Sequence, residues 1–100
     1  MKKIIEGKMY NTETAKEVFK WDNGNYGKFE YCEEALYKKK TGEFFLYGYG
    51  GPMSKYAISR GNETSSGEEI NPLTEKEAKK WLEKKGDTKT YIETFGEVEE

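Results

Sequence analysis

The stretch Phe29–Gly51, FEYCEEALYKKKTGEFFLYGYGG, decides how this chain folds. Aromatic and apolar residues fill two arms. Between them, Lys40-Thr41-Gly42 is the short polar, glycine-containing connection that a β-hairpin loop requires. On the first arm Cys32, Glu34, Leu36 and Lys38 alternate with Tyr31, Glu33, Ala35, Tyr37 and Lys39. On the second, Phe44 and Leu46 stand across the pleat from Phe45, Tyr47 and Tyr49. Both faces of that second arm are apolar or aromatic, which predicts a strand in the middle of a sheet, covered on both sides.

Upstream, Lys2–Tyr10 reads as one short strand kinked at Gly7. Asn11-Thr12-Glu13-Thr14 is turn-like. Ala15–Trp21 reads as a strand from Val18, Phe19 and Trp21, with a helix capped by Thr14 and Glu17 as the alternative. Asp22–Gly27 is a loop. Downstream, Gly48, Gly50, Gly51 and Pro52 turn the chain, Met53–Ser59 alternates as a further strand, and Arg60–Glu69 is expected as a mobile polar loop.

The C-terminal part changes character. Thr74-Glu75-Lys76-Glu77 is a capping box, Ala78, Trp81 and Leu82 follow at helical spacing, and Gly86 stops the helix. Asp87 or Thr88 caps a second helix through Phe95, ended by Gly96. The expected architecture is α+β: an antiparallel meander of about four to five strands with two amphipathic helices on one face, forming a single domain over residues 1–100. Trp81, Leu82, Tyr91, Ile92 and Phe95 are expected to meet Leu36, Leu46 and either Phe44 or Phe45.

Composition narrows the function classes. The chain has 100 residues, 34% of them hydrophobic and 15% aromatic, so its core must rest on few, large side chains and some tyrosines must reach the surface. Residues 1–61 carry eleven bases against eight acids, and residues 62–100 carry six against eleven. That is +3 followed by −5, not the strong basic excess of a dedicated nucleic-acid binder. With no histidine and one cysteine, the common base–nucleophile pairs cannot be assembled, and zinc ligation falls short. We expect no enzyme, no metal and no cofactor. Cys32 reads as a small buried hydrophobe. A lone cysteine, with no apolar leader after Met1-Lys2-Lys3, predicts a cytoplasmic protein in a reducing compartment, without a membrane. The pair Gly48 and Gly50 leads into Pro52 and no helix, so it is read as a turn and not a phosphate cradle.

The candidate binding surface is Lys38, Lys39, Lys40, Tyr47, Tyr49, Lys55 and Tyr56. Lysines interleaved with tyrosines on a sheet can hold single-stranded nucleic acid by stacking and phosphate contact. They can equally form a protein interface, or simply keep a hairpin tip soluble. The acidic residues Glu83, Asp87, Glu93, Glu97, Glu99 and Glu100 are a second candidate, able to face an electropositive groove.

Several segments also resemble a known family: Tyr10-Asn11-Thr12-Glu13-Thr14-Ala15, Glu34–Gly48 (EALYKKKTGEFFLYG), Gly50–Tyr56 (GGPMSKY), Pro72-Leu73-Thr74 with Glu77-Ala78, and Phe95–Glu100 (FGEVEE). They look like small proteins of phages and conjugative elements of Gram-positive bacteria, a family that includes type II-A anti-CRISPR proteins, inhibitors of Cas9. The similarity spans most of the chain and is looser at Asp22–Lys28 and Arg60–Ile70. It implies a stoichiometric inhibitor of Cas9 or of the Cas9–guide RNA complex. The alternative is a small nucleic-acid-binding accessory or regulatory protein of a mobile element.

Overall fold

A computed structural model describes all 100 residues, Met1–Glu100, as eight strands and two helices. The strands are β1 (Lys2–Ile5), β2 (Lys8–Asn11), β3 (Lys16–Asp22), β4 (Cys32–Lys38), β5 (Phe44–Gly50), β6 (Ile58–Arg60), β7 (Glu63–Ser65) and β8 (Gly67–Leu73). Two helices follow, α1 (Glu75–Lys85) and α2 (Thr88–Phe95). All pairings are antiparallel: a four-stranded sheet ordered β3-β4-β5-β8, and two separate hairpins, β1-β2 and β6-β7. The fold is α+β, as the sequence pattern predicts, with more strands than the expected meander.

Phe29–Gly51 forms the middle of the sheet, although its first strand starts at Cys32 and leaves Phe29–Tyr31 in a loop. β4 and β5 pair in unbroken register from Cys32 opposite Gly50 to Lys38 opposite Phe44. The turn closes through Lys39 N–H on the Glu43 carbonyl and Gly42 N–H on the Lys39 carbonyl. β3 pairs with β4 through a bulge at Val18, which settles the Ala15–Trp21 ambiguity in favour of strand.

Three expectations are corrected. Lys2–Tyr10 is not one kinked strand but two, reversed over Glu6-Gly7, whose φ angles are +50° and +78°. Two successive left-handed residues make the tight turn that matches strand twist, and glycine at the second of them removes its steric cost. Met53–Ser59 is not a strand: the chain turns through Pro52–Tyr56, and only Ile58–Arg60 is extended. Arg60–Glu69 is not one loop. It holds the end of β6, all of β7 and the start of β8, which completes the sheet beside β5. β8 is an edge strand, which explains its polar composition and why it tolerates Pro72.

The sheet has a core on each face. On one, Leu36, Phe44 and Leu46 bury against Ala78 and Leu82 of α1, with Phe19, Leu73, Trp81, Tyr91 and Phe95 around them. Phe44 therefore faces the helices. Ile92 does not join this cluster; it lines a groove with Leu82 and Val98 instead. On the other face Phe45 and Ile70 pack under Tyr10 of the β1-β2 hairpin, and the Phe45 ring stacks on Tyr37 at 5.2 Å. β5 is thus covered on both sides near its Phe44 end, which is why both of its faces are apolar.

α1 begins with the predicted capping box: Glu77 N–H donates to the Thr74 hydroxyl at 3.1 Å, and Thr74 N–H donates to the Glu77 carboxylate at 2.9 Å. Asp87 caps α2 by accepting from Thr90 N–H at 2.7 Å. Neither helix is long and apolar enough to cross a membrane.

Candidate functional site

The seven side chains singled out from the sequence do not form one surface. Alternation along β4 and β5 sends Lys38 to the helix face and Tyr47 and Tyr49 to the opposite one. Lys39 lies over the Tyr10 ring at 4.4 Å, under the β1-β2 hairpin, and Lys40 sits exposed in the turn. Lys55 and Tyr56 belong elsewhere on the helix face. They meet β4 at Glu34, about 13 Å along the strand from Lys38.

Glu34 is the best-defined polar centre in the molecule. It is 1% exposed, yet it sits on a strand between Cys32 and Leu36 and faces the helices. Its carboxylate accepts from the Tyr56 hydroxyl at 2.5 Å and from Trp81 Nε1 at 2.9 Å. Lys55 Nζ lies 2.6 Å away and closes the site from the solvent side. Burial alone would push the Glu34 carboxyl up. The hydrogen bonds from Lys55, Tyr56 and Trp81 outweigh it and hold the group below its ordinary value. Burial and the bond to Glu34 push the Tyr56 phenol far above its ordinary range, so it stays protonated as a donor.

Glycine makes room for this arrangement: a Cβ at Gly48 would occupy the Tyr56 ring. No buried side-chain polar atom is left without a partner, so Glu34 acts as a clamp joining β4, the Pro52–Tyr56 turn and α1. Cys32, on the same face, is a free, buried thiol pushed up by burial. No group of three or more potential metal ligands comes together.

The lysines gather at the other end of that face. Lys16 of β3 stands directly opposite Lys38 of β4, and Lys40 follows in the turn; none of the three has an ion-pair partner. They line one depression with Thr14, Ala15 and Lys39. Lys8 and Lys39, by contrast, share Glu43 at 3.0 and 3.3 Å. Lys38 also lies over the Phe44 ring at 5.6 Å. Lys16 joins this cluster only through strand pairing. The single signal for it in the sequence is that Ala15–Trp21 can be a strand.

Four of the six acidic C-terminal candidates, Glu83, Asp87, Glu97 and Glu100, line one groove beside the two helices. Asp87 is spent on the α2 cap and Glu93 lies 4.0 Å from Lys89. Glu83, Glu97 and Glu100 rim the groove that holds Ile92 and Val98. Compared with protein-family models, with curated proteins and with solved structures, the chain finds no match.

Proposed function

We propose that this protein is a small stoichiometric inhibitor that binds Cas9 or its guide-RNA complex, and that the lysine end of the sheet contacts the RNA. The observation that carries the contact is the pair Lys16 and Lys38, directly opposite on neighbouring strands, with Lys40 beside them and none of the three in an ion pair. Like charges placed opposite on a sheet cost stability. A phosphate backbone lying across them removes that cost and releases its own counterions. The rings of Phe44 and Tyr10 beneath Lys38 and Lys39 hold the ammonium groups in place. The choice of Cas9 rests on the family resemblance, and the lysines supply the chemistry for an anionic partner.

The test is DNA cleavage by a Cas9–guide RNA complex titrated with the protein. Cleavage should fall to background near equimolar protein, and the K16E/K38E/K40E variant should lose inhibition while melting at an unchanged temperature. Full cleavage at about tenfold molar excess would falsify the Cas9 reading. The same lysines support the second reading, an RNA- or DNA-binding accessory protein. A gel shift without Cas9 that fades steeply between low and moderate salt would select it.

A further inference from the structure

The face of the sheet opposite the helices is covered only in part. The β1-β2 hairpin sits over Phe45 and Ile70 and leaves the far end of the sheet open. There one row crosses all four strands: Asp22, Glu33, Tyr49 and Glu68, each paired in register with the next. Two carboxylates are neighbours across the β3-β4 pair, an arrangement that is unfavourable by itself. Lys20, 3.0 Å from Glu33, is the one cation in an ion pair with any of them. Beside this row the rings of Tyr26, Tyr31 and Tyr49 form a continuous ribbon, with centroids 5.5 and 6.4 Å apart.

Each carboxylate is held in place by a phenol. Tyr26 donates to Asp22 at 2.7 Å, Tyr31 to Glu33 at 3.3 Å and Tyr47 to Glu68 at 2.7 Å. The hydrogen bonds fix the acids beside the phenol ends of the rings without neutralising them. An ionised carboxylate accepts about four hydrogen bonds, so accepting capacity is left over on each.

We propose that this open end of the sheet is a docking surface for an arginine-rich segment of a protein partner. Charge complementarity selects a cation, since three carboxylates face one lysine. The rings select arginine over lysine, because a planar guanidinium stacks on a tyrosine face while its N–H fork meets a carboxylate bidentately. Proteins that bind nucleic acid carry such segments. The surface lies on the opposite face from the lysine pair, so one partner could meet both or two partners one each.

The experiment uses the full chain, isotope-labelled for NMR, titrated with an Arg-Gly repeat peptide and with its Lys-Gly counterpart at low salt. Amide shifts confined to Asp22, Tyr31, Glu33, Tyr49 and Glu68, with the arginine peptide binding about fivefold more tightly, support the proposal. The D22N/E33Q/E68Q variant should weaken the arginine peptide about tenfold or more, whereas K16Q/K38Q/K40Q should not weaken it. Tyr26→Ala tests the ribbon at a ring that is 69% exposed and supports no core; it should weaken the arginine peptide and not the lysine peptide. Equal binding of the two peptides, or shifts confined to Glu97–Glu100, overturns the proposal. So does failure to bind either peptide, including the case where the protein self-associates on sedimentation and the occupant is a second copy. None of these readouts contains Cas9, so they stand or fall apart from the inhibitor reading.

Discussion

Glu34 and Lys38 lie four residues apart on the same face of β4, and the protein treats their charges in opposite ways. Glu34 is enclosed, and three donors from a turn, a helix and a lysine converge on it. Lys38 faces Lys16 and takes part in no ion pair. A buried charge must be compensated inside the molecule, because no solvent is there to do it. A half-exposed charge can be left to water or to a partner. The contrast separates what holds this fold from what is left for binding: the Glu34 end is structural, and the lysine end is unfinished in the isolated chain.

The contrast breaks most directly at Glu34. Glu34→Ala leaves the Tyr56 hydroxyl and the Trp81 ring N–H without an acceptor and should cost about 3 kcal/mol, read as a lower urea midpoint. A loss under about 1 kcal/mol would mean the clamp is ornamental and the two ends do not differ as argued. Gly48→Ala attacks the same site through packing. Its new methyl group displaces the Tyr56 ring from the Glu34 carboxylate, for an expected loss of about 2 kcal/mol in the same measurement.

Acid titrates the clamp. Because the folded state holds the Glu34 carboxyl below its ordinary 4.5, the unfolded chain binds the proton first as pH falls. The stabilisation is complete above pH 4.5 and is lost as pH drops through the lower folded value. Thermal melts from neutral to acid pH should show the fall, and Glu34→Ala should show less of it. A remainder is expected from Glu43, Glu77 and Asp87, whose hydrogen bonds also hold them low.

The smallest effect has the opposite sign. Lys38→Glu replaces a cross-strand repulsion with an attraction to Lys16, partly offset by the lost contact with the Phe44 ring. It should raise stability by about 0.5 kcal/mol while abolishing binding to RNA or to the Cas9–guide RNA complex. Destabilisation on removing this lysine would show that the pair is structural after all.

Both helices were legible in the sequence, down to the Thr74–Glu77 box and a cap at Asp87 or Thr88 that the structure gives to Asp87, because caps and stops act between residues a few positions apart. The β4-β5 hairpin was legible for a similar reason: the polar turn Lys39–Glu43 sets the register, and alternation then assigns every face. β8 was not, since an edge strand reading Gly67-Glu68-Glu69-Ile70 contributes one deeply buried side chain and otherwise looks like a loop. The division at Glu6-Gly7 escaped because a glycine inside a strand pattern marks a bulge or kink as readily as a turn.

The local code of this chain, in its alternation, caps and turn residues, determined the central hairpin, the two helices and the α+β class. Tertiary structure alone decided that Tyr56 swings under Gly48 to meet Glu34, that Lys16 lands opposite Lys38, and that a row of acids lies beside a ribbon of tyrosines. Those placements join residues many positions apart. They depend on which strand pairs with which, and strand pairing is set by burial on both faces of the sheet, a property no local window contains.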